Sequence, residues 1–233
     1  MEINSNLIIF LSELRKSIRL MGLAVILGTA GLYLISPVIL QFLQIHLDQE
    51  LAFFTVAEPF LAHVKLSFFV TLFVLMPGIM YCLWMALGKP FKLSEKTLAW
   101  FVLFTTVLFY LGAGFCYSVT LTYGVKFLLG FQSSQLKPVI SINKFVNFVS
   151  IFILAFGFIF ELPIFMVFSA KVGLISRQAF ERNRRYAVLI ISIMAALLTP
   201  TPDIVNMLLM GGPLYLLYEI GILILKIMKI GNA

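Results

Sequence analysis

Two carboxylates lie inside apolar runs that are long enough to cross a membrane. Glu161 is the only charged residue in the run 145–170, and Glu219 is the only one in the run 205–225. A carboxylate in the hydrocarbon core costs roughly 3 kcal/mol on insertion scales, so such a residue is first considered a functional site. The sequence therefore predicts that Glu161 and Glu219 are functional polar groups inside the membrane. For Glu161 one alternative stays open, in which a neighbouring helix satisfies a purely structural carboxylate with a hydrogen bond.

The composition places the whole chain in a membrane. Of its 233 residues, 61% are hydrophobic and only 12% are charged, and the mean hydropathy is +1.06. A soluble domain of this length could not cover so much apolar surface. The sequence predicts an all-α integral membrane protein that forms a single polytopic domain over 1–233.

Six apolar runs predict six transmembrane helices. These spans cover about 20–35, 63–87, 98–117, 145–170, 186–198 and 205–225, and an amphipathic helix of about 5–19 precedes them. The fifth run is roughly 20 Å long as a helix, which is shorter than a hydrocarbon core of about 30 Å. Either the membrane or a partner accommodates this short helix, or the helix begins before Tyr186.

Prolines mark the predicted kinks and turns. Pro77 should bend the second span, and Pro163 lies two residues after Glu161 in the fourth. Pro213 follows two glycines in the sixth run and should interrupt that helix. Because the fifth run is also short, we expect the fifth and sixth helices to be short or broken. The predicted outer turn between them contains Pro200, Pro202 and Asp203.

Two longer segments connect the spans on the outer side. Pro37 predicts that the first is a loop reaching to about Ala62, because proline interrupts a helix that precedes it. The second segment, 118–144, is expected to contain a short helix near 123–131.

Lysine and arginine predict the orientation of the chain. Of the 17 such residues, those in predicted outer segments are Lys65, Lys126, Lys137 and Lys144. All the others lie on the opposite side, and basic residues are enriched in cytoplasmic segments. The sequence therefore places both the N-terminus and the C-terminus in the cytoplasm or its equivalent.

The inventory of motifs argues against several kinds of chemistry. The chain contains no G-x-x-x-x-G-K-[ST] for a nucleotide, and no G-x-S-x-G accompanies an intramembrane histidine. No cluster of cysteine and histidine has the spacing of a metal site. We expect no enzyme, no catalytic residue, no cofactor, no metal and no nucleic-acid partner, which leaves a binding protein or a conduit.

Short motifs lie in a characteristic order along nearly the whole chain. They are FLSELRK at 10–16, the run 81–95, FYLG at 109–112 with FCY at 115–117, AFG at 155–157 with FELP at 160–163, RRY at 184–186, LTP at 198–200 with Asp203, and PL at 213–214 with LYE at 217–219. In this order they resemble the TatC family, the multi-spanning receptor subunit of the twin-arginine protein translocase. The chain departs from the family pattern at Phe10, at Ala86 or Leu87, and at Thr201.

This resemblance implies a function. The protein would bind twin-arginine signal peptides of folded precursors and nucleate a multimeric complex with TatA-like and TatB-like single-span subunits. Export would be driven by the proton gradient, across a bacterial inner (plasma) membrane or, alternatively, a thylakoid or mitochondrial inner membrane.

The resemblance also assigns residues. Glu13, Arg15 and Glu95 would form the signal-peptide site, with the two acids contacting the two arginines. Glu161 would line a concave groove in the membrane, and the fifth and sixth helices, which carry Glu219, would dock the partner spans.

The charge pattern is compatible with this site. The inner segments are basic overall and would repel a basic signal peptide, so its recognition requires focal carboxylates. Bidentate arginine–carboxylate pairs are strong and specific in geometry. The alternative is that Glu13 and Glu95 only form weak surface ion pairs with nearby lysines.

A second function of a different class stays open. The chain could be a secondary transporter for a small solute, with Glu161 and Glu219 as proton or cation sites at broken helices. The halves of the sequence show no evident inverted repeat, and the predicted cytoplasmic loops are short. Both features argue against this alternative.

Overall fold

The described part of this apolar chain is almost entirely helical. The computed structural model describes residues 2–47, 51–129, 139–198 and 204–229, so the predicted outer turn with Pro200, Pro202 and Asp203 lies outside the described residues. The helices are α1 Glu2–Tyr33, α2 Ser36–Leu47, α3 Glu58–Gly88, α4 Glu95–Phe115, α5 Leu121–Leu129, α6 Ile142–Phe160, α7 Leu162–Lys171, α8 Arg177–Arg182, α9 Arg184–Leu198 and α10 Ile204–Ile227. A π-helical turn, Cys116–Thr120, joins α4 to α5, and two short strands, β1 Leu51–Ala52 and β2 Ile140–Ser141, pair in parallel.

Length and hydropathy identify the helices that can cross a membrane. Within the described residues, four segments are long and apolar enough: Glu58–Gly88, Glu95–Val125, Ile142–Lys171 and Met210–Ile227. A fifth is possible if Ile18–Tyr33 and Ser36–His46, which meet at 73°, count as one bent span. Helix α9 has 15 residues, or about 22 Å, and begins two residues before the predicted Tyr186. The predicted all-α membrane class is confirmed, with four or five candidate spans.

The N-terminal third differs from the expected pattern. The predicted amphipathic helix and first span form one continuous helix, α1, because no proline or glycine precedes Gly22. The loop predicted after Pro37 is wrong over its first part, which is helix α2. Pro37 is the second residue of that helix, where its missing N–H has no helical partner to lose. The buried hydroxyl of Ser36 donates to the Tyr33 carbonyl at 2.7 Å and lies 3.0 Å from His63 Nδ1 at this bend.

Two of the predicted proline kinks do not interrupt their helices. Helix α3 runs through Pro77, and α10 runs through Pro213, so the predicted break in the sixth helix is wrong. Membrane helices tolerate proline where neighbouring groups satisfy the freed carbonyl. The fourth span does break, at Glu161, since Pro163 lies in the first turn of α7.

The chain forms two compact units, and α4 and α6 contribute residues to both. The first unit contains Met1–Thr106 and Leu121–Leu154, and α1 packs along α3 within it. A Cβ atom added at Gly28 would lie 2.6 Å from Thr71 Cγ2, so the two helices approach too closely for a larger residue there.

A buried carboxylate joins the connecting segments of this first unit. Glu58 is buried at the first residue of α3, accepts the Phe54 N–H at 2.7 Å, and accepts the hydroxyl of Ser141. Ser141 ends β2 and precedes α6, so the carboxylate is close to the N-terminal ends of two helices, which favour negative charge. This contact and the β1–β2 pairing link segments that the sequence identified only as connections.

The second unit contains Val107–Thr120 and Ala155–Ala233. Its α4 residues pack against α6 through glycine: a Cβ atom at Gly112 would lie 2.7 Å from the Phe156 carbonyl oxygen, and one at Gly157 would collide with the Phe109 ring. Farther along the unit, α7, α9 and α10 share a core formed by Met166, Ile191, Leu214, Tyr218 and Ile222.

Replacing Gly112 by alanine should therefore lower stability, whereas the same change at Gly114 should not. The new Cβ at Gly112 meets backbone, and such overpacking costs about 1–3 kcal/mol, while Gly114 has nothing within 4 Å. At Gly114 alanine should raise the thermal midpoint slightly, since it is the better helix former. The measurement is the thermal midpoint of each purified variant in detergent. Equal losses in both variants would contradict the close approach at Gly112.

Candidate functional site

Glu161 is the most unusual polar group in the described part of the chain. It lies between α6 and α7 with its backbone still helical, at φ −76° and ψ −9°. Its relative exposure is 0%, and neither carboxylate oxygen has a hydrogen-bond partner among the described residues. Among the described residues, no neighbouring helix satisfies this carboxylate with a hydrogen bond. A buried polar group without a partner is rare in proteins and calls for an explanation.

Close backbone packing encloses this position. Gly112 of α4 lies against Phe156 and Phe160, at the end of α6. A Cβ atom added at Gly221 of α10 would lie 3.4 Å from the Cα atom of Pro163, in the first turn of α7. A carboxylate can accept several hydrogen bonds, so Glu161 can bind a donor side chain that reaches this position.

Glu219 has a different environment. Its Oε2 lies 3.0 Å from Arg184 Nη2, and its Oε1 accepts the Tyr215 hydroxyl at 2.9 Å. The Arg184 and Glu219 side chains are 49% and 31% exposed, which limits the strength of the pair. Glu219 is therefore not an isolated acid: it joins α10 to the first residue of α9.

A second polar contact strengthens this arrangement. The Tyr218 hydroxyl donates to the Phe180 carbonyl at 2.8 Å, which joins α10 to α8. Arg184 was part of a recognised motif, but its pairing with Glu219 was missed. No spacing rule relates residues 35 positions apart, so only the motif order could have drawn attention to both.

The three predicted signal-site residues lie on two helices. Glu95 is exposed as the first residue of α4, and Ser94 before it accepts the Thr97 N–H at 3.4 Å, as an N-cap does. Glu13 and Arg15 belong to α1, but their side chains fall outside the described residues. Their position relative to Glu95 therefore stays a prediction.

The described residues do not contain the ligand set of a metal site. Among the described residues, no group of three or more histidine, cysteine, aspartate or glutamate side chains could hold a metal ion. The apolar helices and the enclosed Glu161 define a multi-pass membrane protein with a polar group buried inside one span.

Comparison with known proteins identifies the family. The family model of "Sec-independent protein translocase protein (TatC)" matches residues 9–213. The Sec-independent protein translocase protein TatC of Carboxydothermus hydrogenoformans is 32% identical over 229 residues, which cover 94% of this chain and 92% of that protein. The TatC protein of Helicobacter pylori strain 26695 is 33% identical over 220 residues, covering 94% of this chain and 87% of that protein.

Solved structures agree with these relatives. A crystal structure of the twin-arginine translocase receptor TatC in DDM superposes with a TM-score of 0.81 at 28% identity, covering 92% of this chain and 98% of that one. The chain belongs to the TatC family and is a component of the twin-arginine protein translocase. The alternative of a small-solute transporter is not supported.

The ion pair between α9 and α10 can be tested by exchanging its charges. Arg184→Glu alone brings two carboxylates together and should lower the thermal midpoint by a few degrees, corresponding to about 1 kcal/mol. The double variant Arg184→Glu/Glu219→Arg should recover most of this loss. The same exchange at Arg177 and Glu181, a pair within α8, is the control and should change little. A double variant no more stable than the single one would contradict the pairing.

Proposed function

We propose that this chain is the signal-peptide receptor and core subunit of twin-arginine export in a bacterial inner membrane. Glu13, Arg15 and Glu95 bind the twin-arginine signal, and TatA-like and TatB-like single-span subunits complete a multimeric complex. The proposal rests on the exposed side chain of Glu95, the first residue of α4, which follows the turn between α3 and α4.

The surroundings of Glu95 support selective recognition of arginine. Lys89, Lys92 and Lys96 are close to it in sequence and would repel a basic peptide. An exposed carboxylate among them offers two oxygens to a planar guanidinium, which can bind them in a bidentate manner. Lysine is a point charge and lacks this geometry, so the site distinguishes the two cations.

The proposed topology has six spans with both termini in the cytoplasm. Helix α9 would be the fifth span, although its length of about 22 Å falls short of a core of about 30 Å. Its outward side chains are apolar and exposed: Val188, Leu189, Ile190, Ile193 and Met194. A short helix with such a face is compensated by local thinning or by partner helices that pack on it. We therefore assign the docking of single-span partners to α9 and α10.

Glu161 serves in this proposal as the contact for a polar group inside the membrane. Its two oxygens have no partner among the described residues, and the side chain is fully buried. A donor from a partner span or a signal peptide therefore gains a full hydrogen bond there once the helices around Glu161 separate to admit it. Glu219 is already paired with Arg184 and instead stabilises the α9–α10 surface.

Export of a folded reporter tests the proposed receptor function. In cells that lack their own TatC, this chain with its cognate partners should export a twin-arginine reporter, and Glu95→Ala should abolish export. Loss of export follows from losing the only acid in the α3–α4 turn region. Glu181→Ala is the matched control, because Glu181 is engaged in a local pair on α8. Export by the Glu95→Ala variant would show that other residues recognise the signal peptide. Absence of export by a correctly inserted wild-type protein would contradict the proposed function.

The role of Glu161 requires a separate variant. Glu161→Ala should impair export at least tenfold, because it removes the proposed polar contact. The protein should stay folded and inserted, since the Glu161 carboxylate forms no hydrogen bond with the described residues. Export rate and thermal midpoint are measured together. Full activity would contradict the proposed contact, and a lowered midpoint with proportionate loss of export would assign Glu161 a structural role.

A further inference from the structure

The turn between α3 and α4 has a well-defined backbone. The Lys89 N–H donates to the Met85 carbonyl at 3.3 Å, and the Leu93 N–H donates to the Gly88 carbonyl at 3.1 Å. Lys92 adopts a left-handed conformation with φ of 52°, which a side chain other than glycine takes only under constraint. The residue that carries the proposed arginine contact thus follows a turn that has little freedom.

A buried tryptophan joins α3 to α4 close to this turn. Trp84 lies one turn before the end of α3, and its Nε1–H donates to Thr105 Oγ1 at 3.2 Å. Its ring stacks on Phe101 with centroids 4.8 Å apart and planes at 25°. Because Trp84 is fully buried, it is not available to touch a peptide.

The hydrogen bond distinguishes this residue from an ordinary core aromatic. An indole N–H has to find an acceptor when it is buried, and Thr105 supplies one while donating to its own helix, at the Phe101 carbonyl, at 2.8 Å. One contact therefore specifies both the rotation and the axial position of α4 against α3. Nearer the turn, Gly88 lies against Leu98 without room for a Cβ atom, which holds the same pair of helices at a second point.

We propose that Trp84, through its hydrogen bond to Thr105, is a positioning residue for the arginine site at Glu95. This inference rests on the proposed function of Glu95. Thr105 and Glu95 lie on one helix about 15 Å apart, so a rotation of α4 at Thr105 turns the Glu95 carboxylate by the same angle. A bidentate pair tolerates only about 10–20° of misorientation, whereas a lysine ammonium tolerates more. The hydrogen bond at Trp84 therefore determines selectivity for arginine over lysine.

The test measures binding of labelled twin-arginine and twin-lysine signal peptides to the purified full chain in nanodiscs. Thr105→Val removes the acceptor and keeps the shape of the side chain, and Trp84→Phe removes the donor. Each should weaken twin-arginine binding about five- to tenfold, as expected if the misoriented Glu95 keeps only one of the two hydrogen bonds of a bidentate pair. Twin-lysine binding should stay unchanged. Thr105→Ser retains the hydroxyl and should bind like the wild type.

A matched control uses the second tryptophan of the chain. Trp100 also lies on α4 and stacks on Phe104, but it is 58% exposed. Trp100→Phe should leave both peptide affinities unchanged. It also leaves Trp84 as the only tryptophan, so the emission of this variant reports whether Trp84 stays buried when Thr105 is changed.

A double-mutant cycle separates this inference from the proposed function. If Trp84 acts through Glu95, then Thr105→Val should cause no further loss in a Glu95→Gln background. An additional loss of the same size there would overturn the inference and leave the role of Glu95 intact. A lowered thermal midpoint with an unchanged ratio of twin-arginine to twin-lysine affinity would also overturn the inference, because the Trp84–Thr105 hydrogen bond would then only stabilise the fold. If Glu95→Gln itself binds normally, the proposed site fails, and the positioning role fails with it.

Discussion

A polar group buried between apolar helices has to be matched by another polar group, because neither lipid nor packed hydrocarbon can solvate it. This constraint decides which helices are joined. Trp84 with Thr105, Tyr218 with the Phe180 carbonyl, and Ser36 with His63 each meet it between two elements. Glu58 meets it at the N-terminal end of α3, where one carboxylate links Phe54 and Ser141 to this helix.

Glu161 does not meet this constraint within the described residues, and its contrast with Glu219 shows how two acids in similar apolar runs differ in environment. Glu219 is partly exposed and has found a cation and a hydroxyl, so its charge is used to hold α9 against α10. Glu161 is enclosed, and its oxygens have no partner in the described chain. The first acid contributes to the scaffold. The second retains its capacity to bind, which is why we assign it to a partner or a signal peptide.

The prolines show how far local sequence rules reach. Pro163 breaks a helix, as its chemistry predicts, but Pro77 and Pro213 lie inside continuous ones, and Pro37 lies in the first turn of a helix where a loop was expected. Proline always removes one backbone donor. Whether the helix then ends depends on what satisfies the freed carbonyl and on where the residue stands in the helix, and both depend on the surrounding structure.

Composition, hydropathy and motif order were enough to predict the membrane class, most of the long apolar helices, and the importance of Glu161 and Glu219. These are properties of contiguous residues. The packing of the helices was needed to show that Glu219 is paired while Glu161 has no partner among the described residues, that α2 is a helix, and that Trp84 joins α3 to α4. The Arg184–Glu219 and Trp84–Thr105 contacts join residues 35 and 21 positions apart. Such contacts depend on how helices rotate and approach, and in this chain that approach depends on glycines such as Gly88 and Gly112, whose effect becomes visible only when the neighbouring helix is in place.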